Sequence, residues 1–106
     1  MSSSSITKKT LRAIGHRLKP VVTIAQNGAS ETVRQEIDRA LNDHELIKVK
    51  LQGIDRTQKA AVIDELTSSL NAECVQRIGH IILLYRAAAK PNPKLSNLQR
   101  ASRELR

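Results

Sequence analysis

A chain of 106 residues with a net charge of +8 is long enough for one domain with a modest core and too short for two. A single cysteine, Cys74, excludes an intrachain disulfide and a cysteine-based zinc site, and it fits a reducing cytoplasm. With Tyr85 as its sole aromatic residue, the chain is excluded from the RRM and typical OB-fold binders, which stack bases on several rings.

Residues 1–6 are expected to be disordered, and the serine-rich start followed by a basic helix lacks the apolar core of a signal peptide. No apolar run approaches the roughly 20 residues of a membrane span. A first helix is predicted from Thr7 to Leu18, with Leu11, Ile14 and Leu18 on one face. Lys8, Arg12 and Lys19 fall together on another side, with His16 between them. Pro20 ends this helix, because the residue before a proline is biased towards extended geometry.

Val21 to Ala25 reads as a strand, and Gln26-Asn27-Gly28 turns the chain into a second helix from about Ser30 to Asp43. Ser30 is its predicted N-cap, and Val33, Ile37, Ala40 and Leu41 form its buried stripe. Leu46 to Leu51 alternates as a half-buried strand, with Ile47, Val49 and Leu51 on one face and Lys48 and Lys50 on the other. Asp55 followed by Gln58 reads as a capping box for a third helix reaching about Leu70, which buries Val62, Ile63, Leu66 and Leu70. Cys74 to Ile78 and Ile81 to Tyr85 form two strands joined at Gly79-His80, a two-residue hairpin signal. The second strand is apolar on both faces, which predicts a central position.

The elements therefore run helix, strand, helix, strand, helix, strand, strand. They describe an α/β class, a single compact domain over residues 7–86 with a four-stranded mixed sheet. Residues 87–106, with Pro91 and Pro93, read as a basic, flexible tail in which Leu95, Leu98, Ala101 and Leu105 have the spacing of a helix formed on binding.

Charge is concentrated at the two ends. Residues 1–19 carry Lys8, Lys9, Arg12, Arg17 and Lys19 with no acid, and residues 87–106 carry five bases against Glu104; the stretch between them nets −1. Localised positive charge is the footprint of a polyanion binder. A helix opening just after the Gly28 turn presents unpaired backbone N–H groups at its positive end, which suits a phosphate.

Four ordered motifs converge on one family: Leu18-Lys19-Pro20-Val21-Val22, the turn closing at Asn27-Gly28, His44-Glu45-Leu46-Ile47-Lys48-Val49-Lys50, and Ile78-Gly79 through Leu84-Tyr85-Arg86. Together they resemble the CRM domain, and more specifically its small stand-alone bacterial YhbY-like form, over roughly residues 7–86. The resemblance implies a CRM fold, similar to the C-terminal domain of translation initiation factor three, and RNA binding associated with the large ribosomal subunit or its precursor. It also implies a Gly-x-x-Gly loop after the first strand, compared with the KH-domain loop that clamps an RNA backbone. The matching positions are Ala25, Gln26, Asn27 and Gly28, so the first glycine is replaced by alanine. Alanine lacks glycine's freedom at positive φ and adds a methyl where a phosphate would approach, which reduces the expected contribution of that position.

The expected RNA-binding set is Lys8, Arg12, His16, Lys19, Ala25, Gln26, Asn27, Gly28, Lys48, Lys50, Arg77 and Arg86. Lys48 and Lys50 either line RNA or form the wet side of the sheet, and Arg77, His80 and Arg86 either touch RNA or protect an edge. The three histidines have no ligand spacing, so neither a metal nor a cofactor is expected, and Asp55, Asp64 and Glu65 form no acid/base pair that would make the chain an enzyme. The reading is a monomeric, non-catalytic binder of ribosomal RNA in the large-subunit precursor, with ribosomal proteins or assembly factors as further partners and no membrane. The alternative is an adaptor whose tail docks on an assembly factor and whose RNA affinity comes from charge alone.

Overall fold

In the computed structural model, which describes residues 8–25, 30–88 and 96–97, the elements follow the predicted order. They are α1 (Lys8–Gly15), β1 (Pro20–Ile24), α2 (Glu31–His44), β2 (Leu46–Leu51), α3 (Arg56–Ser69), β3 (Glu73–Ile78) and β4 (Ile81–Tyr85). The sheet order is β1-β2-β4-β3, with β1 parallel to β2 and β4 antiparallel to both of its neighbours. Strands β1, β2 and β3 therefore run in one direction and β4 inserts between β2 and β3. That central place suits its sequence: Ile82, Leu83, Leu84 and Tyr85 are all buried, on alternating faces.

Alternation along the strands gives the sheet two apolar faces of unequal size. Val22, Ile24, Ile47, Val49, Leu51, Ile82 and Leu84 pack against Ile37 and Leu41 of α2 and Ile63 and Leu66 of α3. On the opposite face Leu46, Val75, Leu83 and Tyr85 receive Leu11 of α1, with Ile14 and Leu18 alongside. An eight-residue helix is about 12 Å long at 1.5 Å per residue, so α1 covers only part of its face. Val21 and Ile78 are left 48% and 59% exposed.

Helix α1 stops at Gly15, a turn before the predicted end at Leu18. Arg17 N–H donates to Ile14 O at 3.1 Å and Leu18 N–H to Gly15 O at 3.0 Å, the tighter i→i−3 pattern that closes a helix before an obligatory break such as Pro20. Gly15 itself lies against the sheet: a Cβ there would sit 2.6 Å from Leu83 Cδ2.

Ser30 caps α2 as predicted, its Oγ accepting from Val33 N–H at 3.2 Å. Asp55 occupies the cap position of α3 but its side chain makes no cap bond, so the predicted capping box does not form. Instead Asp55 O receives the N–H groups of Gln58 and Lys59. The β3–β4 turn is the predicted two-residue type, with Gly79 at a φ of +56°.

Of the segment expected to be a flexible tail, residues 87, 88, 96 and 97 are described, and three of them bond to the domain. Glu45 links α2 directly to β2 at a φ of +64°, and its carboxylate is turned inward. Its Oε2 accepts from Ala88 N–H at 2.8 Å and its Oε1 from Ser96 Oγ at 2.7 Å, while Asn97 Nδ2 donates to Leu46 O at 2.6 Å. Ser96 is fully buried. An acid at the end of a helix gives no sequence signal that it will hold a segment some fifty residues downstream.

Candidate nucleic-acid interface

Helix α1 offers Lys8, Lys9 and Arg12 and no acid, because its apolar stripe faces the sheet and leaves the basic positions to solvent. His16 and Lys19 lie beyond its end, in the turn leading to β1, and both are exposed. Strand β2 adds Lys48 and Lys50 on the same side. Lys48 pairs with Leu83 and Lys50 with Ile81 in the β2–β4 register, and Leu83 belongs to the core under α1. Lys48 is half-buried and Lys50 exposed on the strip of sheet that α1 leaves open.

Register also brings β1 and the turn before it to these lysines. Pro20 lies opposite Lys48 and Thr23 opposite Lys50, and a shallow cleft lined by Leu18, Lys19, Val21, Ile47 and Lys48 runs between them. Asn97 of the docked tail forms one wall of that cleft. Arg12, Lys19, Lys48 and Lys50 have no carboxylate partner among the described residues, whereas Lys8 pairs with Glu73 at 3.6 Å on the surface.

The opposite layer has a different balance. Helices α2 and α3 carry Glu31, Glu36, Asp38, Asp43, Asp64 and Glu65 against Arg34, Arg39, Arg56 and Lys59. Part of this charge is paired internally, as in the Arg34–Glu65 ion pair between the two helices. A polyanion approaching the domain meets attraction on the α1 side and a surface of mixed, largely balanced charge on the other.

The remaining expected residues divide. Ala25 is exposed at the end of β1, and Gln26, Asn27 and Gly28 lie outside the described residues. Arg77 pairs in register with Ile82, which places it on the α2–α3 face, apart from Lys48 and Lys50. Arg86 serves the fold. Its Nη1 donates to Asp38 Oδ1 and Leu70 O, and its Nη2 to Asp38 O and Asn42 Oδ1, all at 2.8–2.9 Å. A guanidinium so engaged ties β4 to α2 and to the end of α3, and we drop it from the interface. Tyr85 is buried under α1 and offers no ring for stacking.

Sequence reasoning passed over Lys59, and it gave His80 only as a residue that touches RNA or protects an edge. Lys59 is buried in α3, its Nζ donating to Gly79 O at 3.2 Å and lying 2.9 Å from His80 Nδ1. Its spacing from Val62, Ile63 and Leu66 puts it on the buried face of α3, but lysines are seldom buried, so residue type hides what the pattern shows. Among the described residues no group of three His, Cys, Asp or Glu is arranged to hold a metal, and no helix is long and apolar enough to cross a membrane.

Comparison with known proteins gives a consistent picture. The family model described as the CRS1/YhbY (CRM) domain matches residues 4–86. A Pseudomonas aeruginosa chain named "probable RNA-binding protein" is 48% identical over 94% of this chain and 96% of its own length. A Haemophilus influenzae chain named "RNA-binding protein" is 44% identical over 87% and 93% respectively. The solution structure of a Staphylococcus aureus protein superposes with a TM-score of 0.71 at 30% identity, covering 84% of this chain and 92% of that one.

Proposed function

The chain belongs to the CRS1/YhbY (CRM) domain family, and from that premise we propose that it is a non-catalytic RNA-binding protein that joins ribosomal RNA in the precursor of the large ribosomal subunit. The observation that carries RNA binding is the polarity of the domain. The cations of α1, its following turn and β2 share one side of the sheet, while the acids gather on the helices of the other. The names of the relatives support the same partner.

Capture is electrostatic: Arg12, Lys19, Lys48 and Lys50 draw in the RNA backbone over the open strip of sheet. Positioning follows at the end of β1, where the loop from Ala25 leads to the start of α2 and its unpaired N–H groups. Phosphate contacts of this kind set register without reading sequence, and no aromatic platform is present. Selectivity then rests on RNA shape or on single-stranded loops of ribosomal RNA. We place this activity in the cytoplasm, with the chain a monomer that assists assembly by holding a local RNA shape.

The test is sedimentation of cell extract on a density gradient, with the chain followed by mass spectrometry before and after a high-salt wash. Cosedimentation with large-subunit precursors and release by salt is the expected result. Absence from every ribosomal fraction, with RNA binding retained in vitro, rejects the assembly role and leaves a general RNA binder.

A further inference from the structure

The buried ammonium of Lys59 meets only neutral groups among its described partners, a carbonyl and an imidazole. Burial of a cation is costly unless its donors are satisfied, so an apolar residue would be the cheaper occupant if packing were its only task. An ammonium has donors and no acceptor, and Nζ lies 2.9 Å from His80 Nδ1. Nδ1 therefore accepts, and the ring proton resides on Nε2 of a solvent-exposed residue.

The place of this pair in the fold gives it a use. Leu51 N–H donates to His80 O at 2.6 Å, and Gln52 N–H donates to Ile24 O at 2.8 Å. These bonds put the β3–β4 turn, the end of β2 and the end of β1 along one edge, about two strand spacings of 4.8 Å across. Ala25, which follows β1, lies at that same edge.

We propose that His80 is an RNA-contacting residue, donating from Nε2–H to a backbone phosphate at the edge formed by the β3–β4 turn and the ends of β1 and β2, and that Lys59 is the positioning residue that fixes its tautomer and the turn that carries it. This deepens the RNA reading and rests on it.

The test uses the full chain, a fluorescein-labelled single-stranded oligoribonucleotide of mixed sequence, and imidazole nitrogen NMR. The free protein is expected to show His80 protonated at Nε2 only. His80→Ala removes an exposed side chain and should weaken RNA binding about tenfold at matched salt, the size of one charge-assisted hydrogen bond. Lys59→Met should lose affinity to a similar degree and let the ring sample both tautomers, and the double variant should lose no more than either single one. Unchanged affinity in His80→Ala, or a proton found on Nδ1, overturns the proposal alone. Failure of the unaltered chain to bind the RNA overturns it together with the RNA reading.

Discussion

Arg86 Nη1 donates to Asp38 Oδ1 at 2.8 Å across 48 positions of sequence, so the residue that follows the central strand is locked onto the middle of α2. The same guanidinium holds the carbonyls of Asp38 and Leu70, and the side chain is only 17% exposed. It fastens both helices of one layer to the strand beneath them.

Replacing Arg86 by lysine should therefore destabilise the domain. An ammonium cannot reproduce the fork that serves two helices. The carboxylate of Asp38 is half-exposed, so solvent screens the ionic part, and the expected loss of about 2 kcal/mol comes mainly from the carbonyls left without a donor. Urea unfolding measures it. The salt dependence of RNA binding by the folded variant should be unchanged, as the substitution keeps the charge and the bonds it loses lie within the fold.

Gly15→Ala should also destabilise, although alanine is the better helix former by about 1 kcal/mol. The added methyl would meet Leu83 Cδ2 at 2.6 Å and Cγ at 3.2 Å, and Leu83 is buried on the sheet with little room to yield. Overpacking of this kind costs about 1–3 kcal/mol, so the net change is a loss of up to about 2 kcal/mol. Thermal unfolding should show a lower midpoint for Gly15→Ala, and combining it with Leu83→Val should recover part of the difference.

For RNA binding, Lys48→Gln and Lys50→Gln should each weaken affinity for unrelated single-stranded RNAs to a similar extent, since phosphate contacts carry no base information. Each lost contact should reduce the slope of log affinity against log salt by about 0.7. Arg39→Gln, on the opposite layer, is the matched control and should leave the slope as it was. Equal slopes for all three variants would remove β2 from the interface.

Burial pushes the Cys74 thiol above its ordinary value. Alkylation of the folded protein should be slower than that of a free cysteine near neutral pH and should accelerate only well into the alkaline range. The folded thiol holds its proton to higher pH than the unfolded one. Its contribution to stability is thus complete below the unfolded pKa and is lost as pH rises through the folded one. Unfolding followed across the alkaline range, in the native chain and in Cys74→Ala, isolates this contribution.

What could be read from the chain follows the range of the forces involved. The all-apolar run Ile81–Tyr85 implies a central strand, and Ser30 before α2 implies a cap, because each depends on neighbours a few residues away. Lys48 and Lys50 are legible as one face of β2 through strict alternation. The role of Arg86 in the fold is not legible because its partners Asp38, Asn42 and Leu70 are remote in sequence, and an arginine after a strand looks the same whether it serves RNA or the fold. Lys59 shares the helical spacing of the buried stripe Val62, Ile63 and Leu66, but its charge points to solvent unless the hairpin turn whose carbonyl it meets is known.

The inward carboxylate of Glu45 bears on how the C-terminal segment can be studied. Cutting the chain after Ala88 would leave Oε1 facing a space that Ser96 had filled, stranding a desolvated anion at the junction of α2 and β2. A shortened protein that bound partners poorly would then report a loosened junction as readily as a missing docking peptide. Ser96→Ala and Asn97→Ala in the full-length chain release the segment more gently. Pairing a truncation with Glu45→Gln, which removes the charge, separates loss of the segment from injury to the domain that anchors it.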